Sequence, residues 1–193
     1  MTSGAAQSMT RRGRDRHEQL VRIGVTLLAE GGWPAVTARA VAERARIKPG
    51  LLHHYFGGLP GFHAAVAARA HAEVVEPLFD AVLEAPDVSA ATRSAPQLVA
   101  KRLTDKRDLR LACEVLGRAL RDPSIGTRRC SWIRTAHEGI ASRLGTMHPQ
   151  WSPQCRKDTA ALLAALLDGL IVQQILDPEG EADTADAPAT DGG

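Results

Sequence analysis

The chain has 193 residues, of which 44% are hydrophobic and 24% charged, and this composition excludes a disordered polypeptide and predicts a soluble globular protein. The length fits one domain or a small pair and excludes a large multidomain enzyme. Three widely spaced cysteines without a CxxC pair indicate neither a disulfide framework nor a structural zinc site, and no apolar segment at the N-terminus signals secretion. We therefore expect a cytoplasmic protein.

The net charge of +2 is divided unevenly along the chain. Residues 1–71 carry ten Lys and Arg against four acidic residues, a net charge of +6, whereas the remainder carries −4. This asymmetry predicts that the N-terminal part meets a polyanion. Residues 177–193 include six acidic residues and no basic one, which predicts a disordered acidic tail, and residues 1–12 are predicted to be a disordered basic arm.

Apolar residues recur at steps of three and four and no segment alternates with a period of two, so the fold class is predicted to be all-α, with about nine helices. A first helix over 14–30 ends at Gly31-Gly32. Thr37 is an N-cap candidate for a second, short helix, and Pro49 suits the first turn of a third. Two short helices joined by a tight turn in a basic segment predict a helix-turn-helix.

The later helices are less sharply delimited by the sequence. Pro77 predicts a break near Glu76 in the helical pattern that starts at Pro60. The last segment is apolar on all sides, which fits either an enclosed core helix or a helix covered by a second subunit. Its length and Asp168 argue against a membrane span. The predicted segments are helices over 60–85, 98–103, 109–120, 123–144 and 152–176, with a loop over 86–94.

The segment 36–56, VTARAVAERARIKPGLLHHYF, resembles the DNA-binding domain of TetR-type (tetracycline-repressor-like) transcriptional regulators. Its glycine, its Tyr-Phe ending and the position of Thr37 match that family, and residues 165–170 are similar to the last helix of many members. The resemblance implies a helix-turn-helix domain over 13–58 and a helical ligand-binding and dimerisation domain over 59–176. It implies a ligand-responsive repressor that binds a palindromic DNA operator as a homodimer and is released by a small molecule.

The start of the third helix is suited to a DNA groove. The sequence Lys48-Pro49-Gly50 gives the helix a narrow N-terminal end, so that the backbone can approach the groove and offer amide groups to phosphate. Leu51 suits the methyl group of thymine, whereas Lys48 and His54 can reach base edges or phosphates. For His54, a solvated side chain is an equal alternative.

Four further residues complete the predicted DNA-binding set. Thr37 and Arg39, at the start of the second helix, are placed for phosphate or base contacts. The resemblance implies phosphate contacts for Tyr55 and for His53, which stands where the family usually has tyrosine. Packing between helices is the alternative for Tyr55 and His53, and helix capping alone is the alternative for Thr37.

The sequence also departs from the family pattern. Members commonly begin the fourth helix with Ser-Lys-Glu, where this chain has Gly58-Leu59-Pro60, so the phosphate contact of that lysine is absent. Lys48 replaces the usual Ser cap of the recognition helix. Leu52 and Phe56 are expected in the core rather than at the DNA.

A ligand pocket is implied by the resemblance, but ordinary core packing fits the same apolar residues. His137 and Cys113 are its polar candidates, and the 4% aromatic content disfavours a cage for cationic aromatic drugs. The predicted ligand-binding residues are Phe79, Leu83, Cys113, Leu116, Trp132, Ile133, His137 and Met147. The predicted dimer interface consists of Ile140, Leu144, Leu163, Leu166, Leu167 and Leu170.

Two other classes of protein stay open at this point. An enzyme would use His63, His71 or Asp168 as an acid/base or metal set, but no HExxH motif, glycine-rich phosphate loop or GxSxG motif accompanies them. An all-α interaction module without DNA binding is the other alternative. We expect no catalytic residues, no metal, no cofactor and no membrane partner.

Overall fold

The computed structural model describes residues 11–178, and this part of the chain consists of nine α-helices and one 3-10 turn, Trp33–Ala35. The predicted all-α class with about nine helices is confirmed. The helices are α1 (Arg11–Gly31), α2 (Ala38–Ala45), α3 (Gly50–Phe56), α4 (Leu59–Val74), α5 (Glu76–Glu84), α6 (Val88–Leu103), α7 (Lys106–Ala119), α8 (Pro123–Met147) and α9 (Pro153–Leu176).

The chain forms two compact units, one up to Arg69 and one from Ala70 onward. The division falls inside α4, whereas the sequence placed the domain boundary before this helix, between residues 58 and 59. The N-terminal unit contains α1 to α3 and most of α4. Its core includes Leu20, Leu28 and Phe62, none of which is exposed.

The ends of several helices differ from the sequence prediction. α1 begins at Arg11, so the last two residues of the predicted arm 1–12 are helical, and the rest of that arm lies outside the described residues. The break before α5 is confirmed: α4 ends at Val74, and Pro77 lies in the first turn of α5. Of the predicted acidic tail, only residues 177 and 178 are described.

The predicted loop over 86–94 is wrong for most of its length, because α6 already begins at Val88. Asp87 caps this helix by accepting a hydrogen bond from the backbone N–H of Ala90 at 2.7 Å. The sequence did not predict this part of the helix because Pro96 lies inside it, and proline is a poor helix former.

In the second unit, α9 packs mainly on α8 and α6. Its inward stripe includes Ala160, Leu163, Ala164 and Leu167, which follow the helical spacing of three and four residues. The outer face carries exposed apolar side chains, with Leu162 71%, Leu166 40% and Leu176 78% exposed.

This orientation corrects the predicted dimer interface. Ile140, Leu144, Leu163 and Leu167 are at most 8% exposed, because they pack in the core of their own chain, and they are not available to a partner. Of the predicted set, only Leu166 is exposed and Leu170 is partly exposed. The sequence could not select the outer face, because a helix that is apolar all round has no polar side to mark it.

The length of α9 does not support the sequence argument against a membrane span. The helix has 24 residues, its most apolar window has a mean hydropathy of 1.8, and 28% of that window is buried. By length and composition alone it is able to cross a membrane. This is weak evidence for a span, because a core helix of a soluble protein passes the same test.

Candidate DNA-binding surface and ligand cavity

Local signals in the sequence build the helix-turn-helix. Thr37 has an extended backbone, and its hydroxyl oxygen accepts a hydrogen bond from the N–H of Ala40 at 3.1 Å, which caps α2. Arg46 closes α2 in the left-handed conformation, with φ of 53°, and its N–H bonds back to the last turn. Pro49 then precedes α3 with helical backbone angles. A cap, a tight turn and a proline thus set the two short helices in place.

The predicted DNA-binding residues are almost all exposed. Tyr55 is half-buried, whereas Leu52 of the same helix is 2% exposed and holds α3 to the core. α3 therefore presents one face outward, as a recognition helix requires. The exposed predicted residues are Thr37, Arg39, Lys48, Pro49, Gly50, Leu51, His53 and His54.

The charges on this surface are positive and largely uncompensated. Arg39 and Lys48 are exposed and form no ion pair within the described residues, whereas Arg44 pairs with Glu30 at 2.7 Å. Arg46 is a further exposed cation at the turn between α2 and α3, which the sequence analysis assigned only to the connection. Its left-handed backbone is the structural feature that the sequence did not reveal.

Aromatic rings anchor the end of α3. Tyr55 contacts the rings of His54 and Phe56, with centroids 5.3 Å and 6.4 Å away. Phe56 in turn meets Phe62 edge-on at 4.9 Å and His17 at 4.4 Å. Tyr55 therefore has a packing role, and its half-exposed side chain is compatible with a phosphate contact as well.

The connection from α3 to α4 requires glycine. Gly57 and Gly58 have φ of 68° and 116°, which favours glycine. Gly61 lies against the end of α3, where a Cβ atom would lie 1.9 Å from the carbonyl oxygen of Phe56. The departure from the family's Ser-Lys-Glu thus coincides with a close backbone approach between α3 and α4.

The second unit contains a cavity of about 290 Å³, lined mainly by α5 and α8. Four predicted ligand-binding residues line it together: Phe79, Leu83, Trp132 and Ile133. The other four predicted residues lie elsewhere. Leu116 lines a void of about 10 Å³ and Met147 one of about 20 Å³. Cys113 is exposed, and neither it nor His137 is among the lining residues of the cavity between α5 and α8.

The polar lining of this cavity escaped the sequence analysis. His71 of α4 is 6% exposed and stacks flat on Trp132, with ring centroids 4.1 Å apart. Within residues 11–178, its Nδ1 has no hydrogen-bond partner. Burial, assisted by the nearby Arg129 guanidinium, lowers the pKa of His71 from 6.5 to about 4, so the ring is neutral at pH 7.

The remaining charged groups come from three helices. Arg129 of α8 donates to Asp168 of α9 across 3.0 Å, and Glu76 and Asp80 of α5 also line the cavity. Because these residues are distant in sequence, no local motif could have predicted the group.

The histidines of the proposed enzyme alternative do not form one site. His63 is buried in the N-terminal unit, where its Nε2 donates to the carbonyl oxygen of Val36 at 2.8 Å, and it packs edge-on against Trp33. His71 belongs to the second unit. Among the described residues, no group of three or more His, Cys, Asp or Glu side chains could hold a metal ion.

Two family models match the chain. Residues 20–58 match the model described as bacterial regulatory proteins of the tetR family, and residues 95–190 match the C-terminal model of BetI-type transcriptional repressors. A BetI transcriptional regulator of Burkholderia mallei is 28% identical over 165 residues, which cover 80% of this chain and 79% of that protein. BetI 2 of Chromohalobacter salexigens is 25% identical over 189 residues, with coverages of 89% and 83%.

Solved structures share the fold. A transcriptional regulator of Streptomyces coelicolor A3(2) superposes with a TM-score of 0.66 at 25% identity and covers 90% of this chain and 99% of its own. A regulator from Pseudomonas aeruginosa PAO1 has a TM-score of 0.65 at 20% identity, with coverages of 97% and 98%, and shows the fold alone.

The helix-turn-helix, the helical second unit and these matches define a DNA-binding transcriptional regulator, not an enzyme. The chain belongs to the TetR family, with a C-terminal part similar to BetI-type repressors. It is a ligand-responsive regulator.

Proposed function

We propose that the protein is a homodimeric repressor in the cytoplasm, which binds a palindromic operator and leaves it when a small molecule occupies the cavity of the second unit. The observation that carries this proposal is the exposed, positively charged face of α2 and α3. Residues 13–58 would read the DNA, and residues 59–176 would bind the ligand and the second protomer.

The DNA contacts follow from the chemistry of the exposed side chains. Lys48 and Arg39 are free to neutralise phosphates. Leu51, 36% exposed on α3, is available for a thymine methyl. His53, His54 and Tyr55 end the same helix and offer hydrogen-bond donors to the backbone of the duplex. Pro49 and Gly50 are small, so that the start of α3 can approach the groove closely.

The outer face of α9 is the proposed dimer contact. Leu162, Leu166 and Leu176 are exposed at helical spacing, and an apolar stripe of this kind is costly to leave in water. A second copy of α9 would cover it. Light scattering should give twice the chain mass of 20.6 kDa, and the double variant Leu162→Lys/Leu166→Lys should give a single chain mass. A monomeric wild type would contradict the proposal.

Release from DNA requires a difference in affinity. A ligand shifts the protein between two conformations only if it binds one of them more tightly. The cavity lined by Phe79, Leu83, Trp132 and Ile133 is the proposed place for that ligand, and its dimensions lie at the small end of natural ligand sites.

The experiment is retardation of the protein's own promoter fragment at low salt, where phosphate contacts contribute most. Wild type should retard the fragment, and Lys48→Ala should bind all sequences more weakly and reduce the salt dependence. Leu51→Ala should instead change the preference among operators. Arg128→Ala, which removes an exposed cation from α8 of the second unit, is the matched control and should behave as wild type. Failure of wild type to retard the fragment would overturn the proposal.

A further inference from the structure

The turn between α2 and α3 holds an arginine in an unfavourable backbone conformation. Arg46 has φ of 53° and ψ of 50°, and it is the only residue other than glycine with a positive φ in the part of the chain that the structure describes. In this left-handed region a Cβ atom is crowded against the backbone, so glycine adopts it readily and arginine seldom does. Arginine is therefore less favourable for the fold at this position than glycine would be.

The backbone of Arg46, and not its side chain, closes α2. Its N–H donates to the carbonyl oxygen of Glu43 at 3.1 Å, and the N–H of Ile47 donates to the carbonyl oxygen of Ala42 at 2.9 Å. This pair of bonds forms a Schellman motif, in which the left-handed position is usually glycine. The guanidinium of Arg46 is exposed and has neither an ion pair nor a hydrogen bond within residues 11–178. The fold thus does not account for an arginine here.

Positive charge is concentrated at the end of α3 that this turn leads into. Arg46 and Lys48 lie on either side of Ile47, and both are exposed cations without an ion pair among the described residues. Residues 57–61, which follow α3, carry no charged side chain. Because a DNA duplex carries a negative charge on every phosphate, an unpaired guanidinium beside α3 has a natural partner in the DNA backbone.

We propose that Arg46 binds a DNA phosphate and positions α3 on the duplex, beside the contact proposed for Lys48. This inference rests on the proposed DNA binding of the N-terminal unit and adds one contact to it. A guanidinium can donate two parallel hydrogen bonds to phosphate oxygens, which an ammonium group cannot do in the same fixed geometry. Unfavourable backbone conformations are retained at functional sites, where the side chain is needed in that place.

The first part of the test separates binding from folding. Arg46→Gly removes the guanidinium and relieves the crowded backbone, so the midpoint of denaturant unfolding should be at least as high as that of wild type. The affinity for DNA should nevertheless fall. A lower midpoint for Arg46→Gly would show that the side chain supports the fold, and it would contradict the inference.

The second part measures DNA binding by fluorescence anisotropy, with the labelled promoter fragment and an unrelated duplex of the same length. At about 0.1 M salt, Arg46→Gly should bind both duplexes roughly fivefold or more weakly. The slope of log affinity against log salt should become shallower by about 0.9 for each protomer on the duplex. Arg46→Lys, which keeps the charge, should retain the wild-type slope. A loss confined to the promoter fragment would indicate a base contact and overturn the phosphate assignment.

A neighbouring arginine provides the matched control. Arg44 lies two residues before Arg46 and is also exposed, but its charge is compensated by Glu30 at 2.7 Å. Arg44→Ala should therefore bind both duplexes as wild type does. An equal loss in Arg44→Ala and Arg46→Gly would show a general effect of charge and contradict a specific contact of Arg46.

Wild type separates this inference from the function on which it rests. If wild type binds DNA and Arg46→Gly binds equally well with the same salt dependence, the inference fails and the proposed DNA-binding function stands. If wild type binds neither duplex, the proposed function fails, and the inference fails with it.

Discussion

The two compact units each place one histidine of α4 against a tryptophan, and these histidines differ because one is hydrogen-bonded to the backbone and the other lines a cavity. His63 of the N-terminal unit meets Trp33 edge-on and donates to a buried carbonyl oxygen at 2.8 Å. His71 of the second unit stacks flat on Trp132 and lines a cavity, and its Nδ1 has no partner among the residues that the structure describes. Two histidines of one helix thus differ in their hydrogen bonding, because their surroundings differ.

The same contrast holds for glycine. Gly61 in the N-terminal unit has no room for a Cβ atom, which would lie 1.9 Å from a backbone oxygen. Gly139 lines the cavity, and a Cβ atom there would meet only Leu83, at an ordinary 3.7 Å. Close backbone contact therefore requires glycine at position 61, whereas the cavity wall has space for a methyl group at position 139.

The largest expected effect is therefore that of Gly61→Ala. The added methyl group must push α4 away from the end of α3, so we expect the free energy of unfolding to fall by about 3 kcal/mol or more. Denaturant unfolding followed by circular dichroism measures it. Gly50→Ala, which meets open space, is the control and should not destabilise. A Gly61→Ala protein as stable as wild type would contradict the close packing described above.

The second prediction concerns the pH dependence that His71 confers. The folded pKa of His71, about 4, is lower than its unfolded value of 6.5, so the unfolded chain takes up the proton first as the pH falls. The free energy of unfolding is therefore not reduced by His71 above pH 6.5, and it decreases as the pH falls toward 4. The loss should reach roughly 3 kcal/mol in wild type. The free energy of unfolding of His71→Phe should depend less on pH over this range. An equal pH dependence of the free energy of unfolding in the two proteins would refute the lowered pKa of His71.

A somewhat smaller loss is expected for His63→Phe. The change removes the donor to the Val36 carbonyl and leaves that buried oxygen without its partner, which costs about 1–3 kcal/mol. At neutral pH His71→Phe breaks no such bond and should cost less. Thermal unfolding of both variants compares them directly, and a greater loss for His71→Phe would reverse the contrast between the two histidines.

The smallest effect is expected for Gly139→Ala, which should stabilise α8 by up to about 1 kcal/mol, because alanine is the better helix former. The same methyl group narrows the cavity. Denaturant unfolding followed by circular dichroism should therefore give a higher free energy of unfolding for Gly139→Ala than for wild type. A loss of stability would show that the cavity wall has no space for the methyl group.

The helix-turn-helix could be predicted from the sequence because its signals are local. The Thr37 cap, the proline before α3 and the glycines after it each act within a few residues. The predicted exposure of the recognition helix and the burial of Leu52 followed from the same short segment. Its DNA contacts stay a prediction.

For the second unit, only the all-α fold class could be predicted from the sequence. His71, Arg129 and Asp168 reach the cavity from three helices, and no spacing in the sequence connects them. The dimer prediction erred for a related reason, since the burial of Leu163 and Leu167 is set by how α9 rests on α8 and α6. Tertiary packing decides both features.

The most direct test of the account is fluorescence anisotropy of a labelled promoter fragment at low salt, with wild type and two double variants. Arg39→Ala/Lys48→Ala should bind the fragment at least about tenfold more weakly, because the two proposed phosphate contacts would be lost. Glu76→Gln/Asp80→Asn should bind it as tightly as wild type. Full binding by the first variant, or an equal loss in both, would contradict the assignment of DNA reading to the N-terminal unit.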